Sequence, residues 1–223
     1  MPRRARRLQH GDFYHVINRG SVRARLFYTA GDYRAFLALL SSAVERFELP
    51  IVSYCLMPNH WHVVTAPDDH TQLSRAFHWL TSTHAMRWTR VHQRRGPGPV
   101  YQGRFKSIPV QCGPSLVRVC RYVERNALAS GLSHSAQAWP WSSAYQRAHQ
   151  HDSPRLQALP FLLEPSWMTT LNAPQSDPDV ARAIQLTRPF GEGAWLSDHL
   201  TAMRLGKTGT RGRPRRKIDP SLL

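Results

Sequence analysis

The sequence specifies an α+β protein, an antiparallel sheet packed by helices, and three observations predict it. Residues 13–19 and 51–66 carry apolar side chains in short runs of strand length. Residues 33–47 and 71–94 repeat them at helical spacing over longer stretches. Between two of the strand runs stands Met57-Pro58-Asn59, a turn that folds the chain back as a hairpin.

The elements follow in order. Phe13 to Arg19 forms a first strand, ended by Gly20 and followed by a loop carrying Arg23 and Arg25. From Asp32 a helix is expected over Tyr33–Phe47, with Phe36, Leu37, Leu40, Val44 and Phe47 on one face and Pro50 closing it. Ile51–Leu56 is a second strand, and a third runs from His60 to about Ala66. Residues 71–94, free of proline and glycine, form a long helix with Leu73, Phe77, Leu80, His84 and Trp88 at helical spacing. Arg75, Arg87, Arg90, Arg94 and Arg95 surround that stripe, and Gly96-Pro-Gly-Pro99 breaks the helix. Val100–Val110 is an extended, basic strand region. Its Tyr101 and Phe105 alternate with Arg104 and Lys106, a pattern equally suited to stacking bases and holding phosphates or to a strand with one core face.

Pro114 and Ser115 open a further helix, expected to continue to Ser130 with Gly131 as its stop. Leu116, Val119, Cys120, Val123 and Ala127 give it an apolar stripe for the sheet. Beyond residue 150 come short helical pieces at 156–163, 167–171, 179–186 and 195–205, with Asp177-Pro-Asp179 placed to cap the third. The organisation is therefore a main domain over residues 8–150, a helical extension over 151–205 and a basic tail over 206–223. The tail lacks aromatic residues and is expected to be disordered when free. Its Arg211-Gly-Arg213-Pro-Arg215 string resembles elements that lay arginines into a narrow minor groove, and equally a solvated basic tail that raises nonspecific affinity.

Charge limits the partner. With 30 Lys and Arg against 14 Asp and Glu, the chain has a formal net charge of +16, and its pI is near 11.1. Such an excess points to a polyanion, because cationic side chains displace counterions condensed on phosphates. Three of the cations are lysines, so arginine dominates, and its planar fork suits phosphate and base recognition. No apolar run approaches the roughly 18 residues of a membrane span, and the basic N-terminus lacks the apolar stretch of a secretory signal. Three scattered cysteines, Cys55, Cys112 and Cys120, argue for reduced thiols and a cytoplasmic location, with the nucleoid as the site of action. No GxxxxGK[ST] loop is present, so no nucleotide cofactor is expected.

The chemistry concentrates in residues 54–64. His60 and His62 flank Trp61 at the start of a strand, so both imidazoles project from one face while Trp61 and Val63 face the other way. Two imidazoles on one strand face are a ready pair of metal ligands. On the later helix, Tyr122 and Asn126 are four residues apart and share a face. If that helix crosses the sheet near the hairpin, Asn126 can offer its carbonyl oxygen to an ion held by the histidines, with Tyr122 one turn away. A divalent ion, Mg²⁺ or Mn²⁺, would then polarise a scissile phosphate, with Arg118 or Arg125 holding its neighbours. Cys55, five residues before His60, leaves a zinc site or a buried thiol as alternatives.

Taken together, Met57-Pro-Asn-His-Trp-His-Val-Val64, Gln102-Gly-Arg-Phe-Lys106, Arg121-Tyr-Val-Glu-Arg-Asn126 and Trp139-Pro-Trp-Ser-Ser143 resemble single-tyrosine HUH transposases, above all the REP-associated tyrosine transposases. The resemblance covers about residues 8–150. It implies a ferredoxin-like HUH endonuclease fold with the histidines on a central strand, His60 and His62 as metal ligands, Asn126 as the third, and Tyr122 as nucleophile. The implied reaction is cleavage and strand transfer on single-stranded DNA beside palindromic hairpins, through a 5′-phosphotyrosine and without ATP. Arg23, Arg25, Arg104, Lys106, Arg118, Arg125, Arg213 and Arg215 are the candidate DNA contacts. Ala127 stands where the family often carries proline, which favours a longer helix here. A catalytically silent hairpin-binding or regulatory protein is the alternative reading, and an unrelated zinc hydrolase the third. The lack of a nearby glutamate base counts against the last. Monomer and homodimer both remain open from sequence.

Overall fold

The computed structural model describes residues 12–93, 98–151, 154–174 and 176–207. The expectations for Arg94, Arg95 and the tail with Arg213 and Arg215 lie outside the described residues. Four strands, β1 (Phe13–Arg19), β2 (Ile51–Met57), β3 (His60–Thr65) and β4 (Lys106–Val110), form one sheet in the order β2-β3-β1-β4. Every adjacent pair is antiparallel. With α1 (Ala30–Phe47) between β1 and β2 and α2 (His70–Val91) between β3 and β4, this is the ferredoxin-like arrangement. β1 and β3 are therefore the central strands.

The period-2 alternation divides the sheet into two faces with separate cores. Tyr14, Val16, Tyr54, Leu56, Trp61 and Val63 pack against Phe36 and Leu40 of α1 and Phe77 and Leu80 of α2. On the other face, Ile17, Cys55, Met57, Val64, Ile108 and Val110 meet the stripe of α3 (Pro114–Glu124), namely Leu116, Val119, Cys120 and Val123. The apolar spacing of the sequence thus delivers α3 to the face that carries the histidines.

Several boundaries differ from the sequence expectation: the helical piece expected over 156–163, for one, covers only Pro160–Leu163, and Leu156 instead bridges Ile51. The first helix begins at Ala30 rather than near Tyr33, because Thr29 and Asp32 form a reciprocal capping box that makes Asp32 the third helical residue. The strand expected over 100–110 is confined to Lys106–Val110. Tyr101 makes only a lone bridge to Gly20, and its hydroxyl turns to the α2 side of the sheet. The helix expected over 114–130 is interrupted at Arg125, and α4 (Asn126–Ala129) follows at once. Just before the break, Glu124 is fully buried and its carboxylate accepts from three donors. Gly131 then takes a positive φ of 68° and ends α4, with the Leu132 N–H bonded to the Ala127 carbonyl.

Residues from 159–171 and 180–190 share the core of the α3 face. Leu162 of α6 (Pro160–Leu163), Trp167 and Leu171 of α7 (Ser166–Asn172), and Val180, Ala183 and Ile184 of α8 (Pro178–Leu186) belong to the same cluster as α3. Asp177 caps α8 by accepting from the Val180 N–H. Both sheet edges are covered. Trp141, Trp139 and Ser143, the last at the start of α5 (Ser143–Ala148), bond to the β2 backbone, and Phe190 exchanges backbone bonds with Pro109 and Gln111 beside β4. α9 (Gly193–Lys207) is latched to the start of β1, where the Asp12 carboxylate accepts from the indole N–H of Trp195 and from His199 Nε2. No described helix is long and apolar enough to cross a membrane.

Candidate functional site

His60 and His62 stand at the start of β3, opposite Arg19 and Ile17 of β1 in the antiparallel register. Side chains directly opposite each other lie on the same face, so Arg19 joins the two imidazoles above the α3 side. Asn59 Oδ1 accepts from His60 Nδ1 at 2.6 Å, which leaves the Nε2 lone pair of His60 bare. His62 Nδ1 lies 2.8 Å from His15 Nε2, and His62 Nε2 is buried without a hydrogen-bond partner. Burial, aided by the charge of Arg19, lowers the His60 pKa to about 4. Burial, then His60, lowers that of His15 to about 3, and His62 falls well below its ordinary value for the same first cause. All three rings are neutral near pH 7, the form in which imidazole ligates a metal.

Trp61 anchors the histidine strand from the opposite face. Its indole N–H donates to the Tyr101 hydroxyl at 3.2 Å, and that hydroxyl lies 2.8 Å from His84 Nδ1 of α2. Trp61 and Tyr101 are buried, as is His84. The middle residue of the pair therefore does more than fill space: it ties the strand to α2 through two buried hydrogen bonds.

Tyr122 projects from α3 onto this face, with its ring centroid 5.9 Å from that of His62 in an edge-on arrangement. Its phenol is half-buried, and burial raises its pKa, opposed by Asn126 as a hydrogen-bond partner and by the charge of Arg19. The one-residue break after Glu124 does not separate Tyr122 from Asn126. The orphaned His62 nitrogen and the bare His60 nitrogen could serve as two ligands of a divalent ion, and the Asn126 amide, bonded to Tyr122, is of a type that could supply a third. Among the described residues, no group of three or more His, Cys, Asp or Glu side chains is arranged to hold a metal ion. Cys55 lies opposite His62 in register, but burial pushes its thiol up to about 12 and its S–H points to Met57 Sδ at 3.7 Å. It is the buried thiol of the two alternatives.

Two clefts meet at Tyr122. The larger, about 460 Å³, is lined by Arg19, Arg23, Arg104 and Lys106, together with Gln185 of α8. The second, about 270 Å³, runs past Asn126 between Arg118, Arg121 and Arg125 and the start of α8. The expected cations are distributed unevenly. Arg23, Arg104 and Lys106 are exposed in the first cleft. Arg23 is held there by a turn with positive φ at Val22 and Arg23. Gly20 starts that turn, where a Cβ would stand 2.2 Å from the Ala24 carbonyl oxygen. Arg25 lines neither cleft, and its charge acts on Tyr33 of α1. Arg118 forms a bidentate pair with Asp177 and reaches Asp179, while Arg125 Nε donates to the Leu171 carbonyl.

The model of the IS200-like transposases matches residues 10–126, more than half of the chain. The chain belongs to that family. A solved structure described as the REP-associated tyrosine transposase bound to a REP hairpin has the same fold. It aligns with a TM-score of 0.52 at 16% identity, over 71% of this chain and 92% of that one. No curated protein matches the chain. In this IS200-like transposase, sequence reasoning missed three residues at the site: His15, Arg19 and Asn59. Asn59 adjoins His60 and was open to notice. His15 and Arg19 reach the histidines only through the β1–β3 register, which no local pattern reveals.

Proposed function

We propose that this IS200-like transposase is a divalent-metal-dependent endonuclease and strand transferase for single-stranded DNA beside hairpins, working through a 5′-phosphotyrosine intermediate. The observation that carries the reading is Tyr122 set against His62 where two arginine-lined clefts meet. The Tyr122 oxygen bonds to the phosphorus as the bond to the 3′ oxygen breaks, and the phenol proton passes in net to that oxygen, leaving a 3′-hydroxyl. One diester replaces another, so no ATP is needed. His60, His62 and Asn126 would hold Mg²⁺ or Mn²⁺, which supplies Lewis-acid polarisation of the phosphate. Arg23, Arg104 and Lys106 line the larger cleft and would hold the backbone, and Arg213 and Arg215 are proposed as further DNA contacts. Arg118 and Arg125 are engaged by protein partners and would contribute chiefly their charge to the second cleft. The hairpin bound to the structural neighbour supports hairpin DNA as the substrate class.

The test is an internally labelled single strand carrying the palindromes that flank the gene, incubated with Mg²⁺ or Mn²⁺ and run under denaturing conditions. A protein–DNA band that vanishes with EDTA and with Tyr122→Phe is the expected result. Tight binding without an adduct under either ion would reject it in favour of hairpin recognition without catalysis.

A further inference from the structure

We infer that Arg19 is a catalytic residue, the guanidinium that grips the non-bridging oxygens of the phosphate attacked by Tyr122. The inference rests on the reading of the site just proposed. Four arginines from α3 to α5 already have protein partners. Arg118 is bound by Asp177 and Asp179, Arg121 by the Thr170 and Ala173 carbonyls, Arg125 by the Leu171 carbonyl, and Arg147 by Glu124 and the Val52 carbonyl. Arg19 is different. Its Nε is buried without any hydrogen-bond partner, and no carboxylate pairs with it among the described residues.

Its position fits the role. Arg19 is the last residue of β1, directly opposite His60, and it lines the same cleft as Tyr122. Its charge bears on His60, His62 and Tyr122. Its backbone is pinned on both sides, the N–H by Asn18 Oδ1 at 2.9 Å and the carbonyl by the Gln102 N–H at 2.9 Å. A part-buried guanidinium without an anion is costly to fold, and a phosphate diester supplies the anion in the planar, two-pronged geometry that arginine matches. As the tyrosine attacks, charge builds on the non-bridging oxygens, and a cation already aimed at them stabilises that charge without reorganisation.

The experiment measures single-turnover adduct formation by the full chain at saturating oligonucleotide, for wild type, Arg19→Ala and Arg19→Gln. Each is assayed on the natural linkage and on a neutral methylphosphonate at the cleaved position. DNA affinity and Mn²⁺ affinity are measured alongside. On the natural linkage both variants should lose on the order of 10²–10³ in rate, with Mn²⁺ affinity no weaker than in wild type. On the methylphosphonate, which lacks the charged oxygen, wild type and variants should converge. A rate within about threefold of wild type on the natural linkage, or an equal loss on both linkages, overturns the role and leaves the nuclease reading intact. If wild type forms no adduct on either linkage, the reading of the site falls and the role of Arg19 falls with it.

Discussion

Glu124 offers the sharpest test of how the helix that carries Tyr122 is held. Two residues beyond Tyr122, its carboxylate is fully buried and accepts from Ser143 Oγ at 2.6 Å, from the Trp167 indole N–H at 2.9 Å and from the Arg147 guanidinium. Those partners sit on α5 and α7, and Arg147 also donates to the Val52 carbonyl of β2. One carboxylate thus joins four elements. Replacing Glu124 with leucine keeps the volume and removes the charge, which strands Arg147, whose side chain is only 14% exposed. Breaking one side of a buried pair costs about 3–5 kcal/mol, a large part of the roughly 5–15 kcal/mol that a domain has. At about 2–4 °C per kcal/mol for a chain of this size, the midpoint should fall by roughly 6–20 °C. Arg147→Met alone should cost a similar amount. The double variant should cost far less than the sum, because no charge is stranded, yet should retain about 1–3 kcal/mol of loss from the orphaned indole and hydroxyl. Urea denaturation of the four proteins closes the cycle. A loss below about 1 kcal/mol for Glu124→Leu, within the range of an exposed pair, would refute the account.

His84 gives a pH test. Burial lowers its pKa from 6.5 to about 4, so between those values the unfolded chain binds the extra proton and stability rises with pH. The contribution is intact above about pH 6.5 and is lost as pH falls to about 4, a change on the order of 3 kcal/mol. His84→Gln should flatten the stability profile by that amount between pH 7 and 4, and parallel profiles would sink the idea. Tyr101→Phe removes the acceptor of Trp61 and the partner of His84 Nδ1, and should cost about 1–3 kcal/mol by urea unfolding; an unchanged midpoint would mean that the buried network contributes nothing. Asp177→Asn keeps an acceptor for the α8 cap but loses the charge facing the partly exposed Arg118. It should cost about 1 kcal/mol or less in low salt and nearly nothing in 1 M salt, and a loss that persists in high salt would contradict the ion-pair account.

Much of this architecture was legible because hydrophobic period is a local property. β1 was readable from Phe13 to Arg19, the stripe Leu116–Val119–Cys120–Val123–Ala127 predicted which face of α3 is buried, and all five residues are. What was hidden depends on pairing across the sheet. Nothing near residue 15 says that His15 meets His62, because the contact depends on β1 lying beside β3 with Ile17 opposite His62. The burial of Glu124 was equally invisible, since it looks like a solvated charge until Arg147 and Trp167 arrive from later in the chain. Arg118 shows the converse: an arginine one turn before Tyr122 suggested phosphate, yet Asp177, fifty-nine residues away, claims its fork.

The two faces of the sheet therefore serve different ends, and the division explains why a tryptophan suits the place between the histidines. On the α1–α2 face, Trp61 is wholly buried and hydrogen-bonded, which fixes the strand that bears His60 and His62 to a rigid core. On the α3 face the polar groups are left under-satisfied, with His62 Nε2 and Arg19 Nε both buried and without partners. Buried donors and acceptors without partners destabilise a fold. They persist here because the opposite face and the clamp at Glu124 supply stability that the site does not. A ligand with a cation for the imidazoles and an anion for the guanidinium would satisfy both at once, and a metal-bound phosphodiester has that composition. The unsatisfied atoms and the proposed substrate are thus two sides of one argument: the site withholds from itself the interactions that a phosphate would complete.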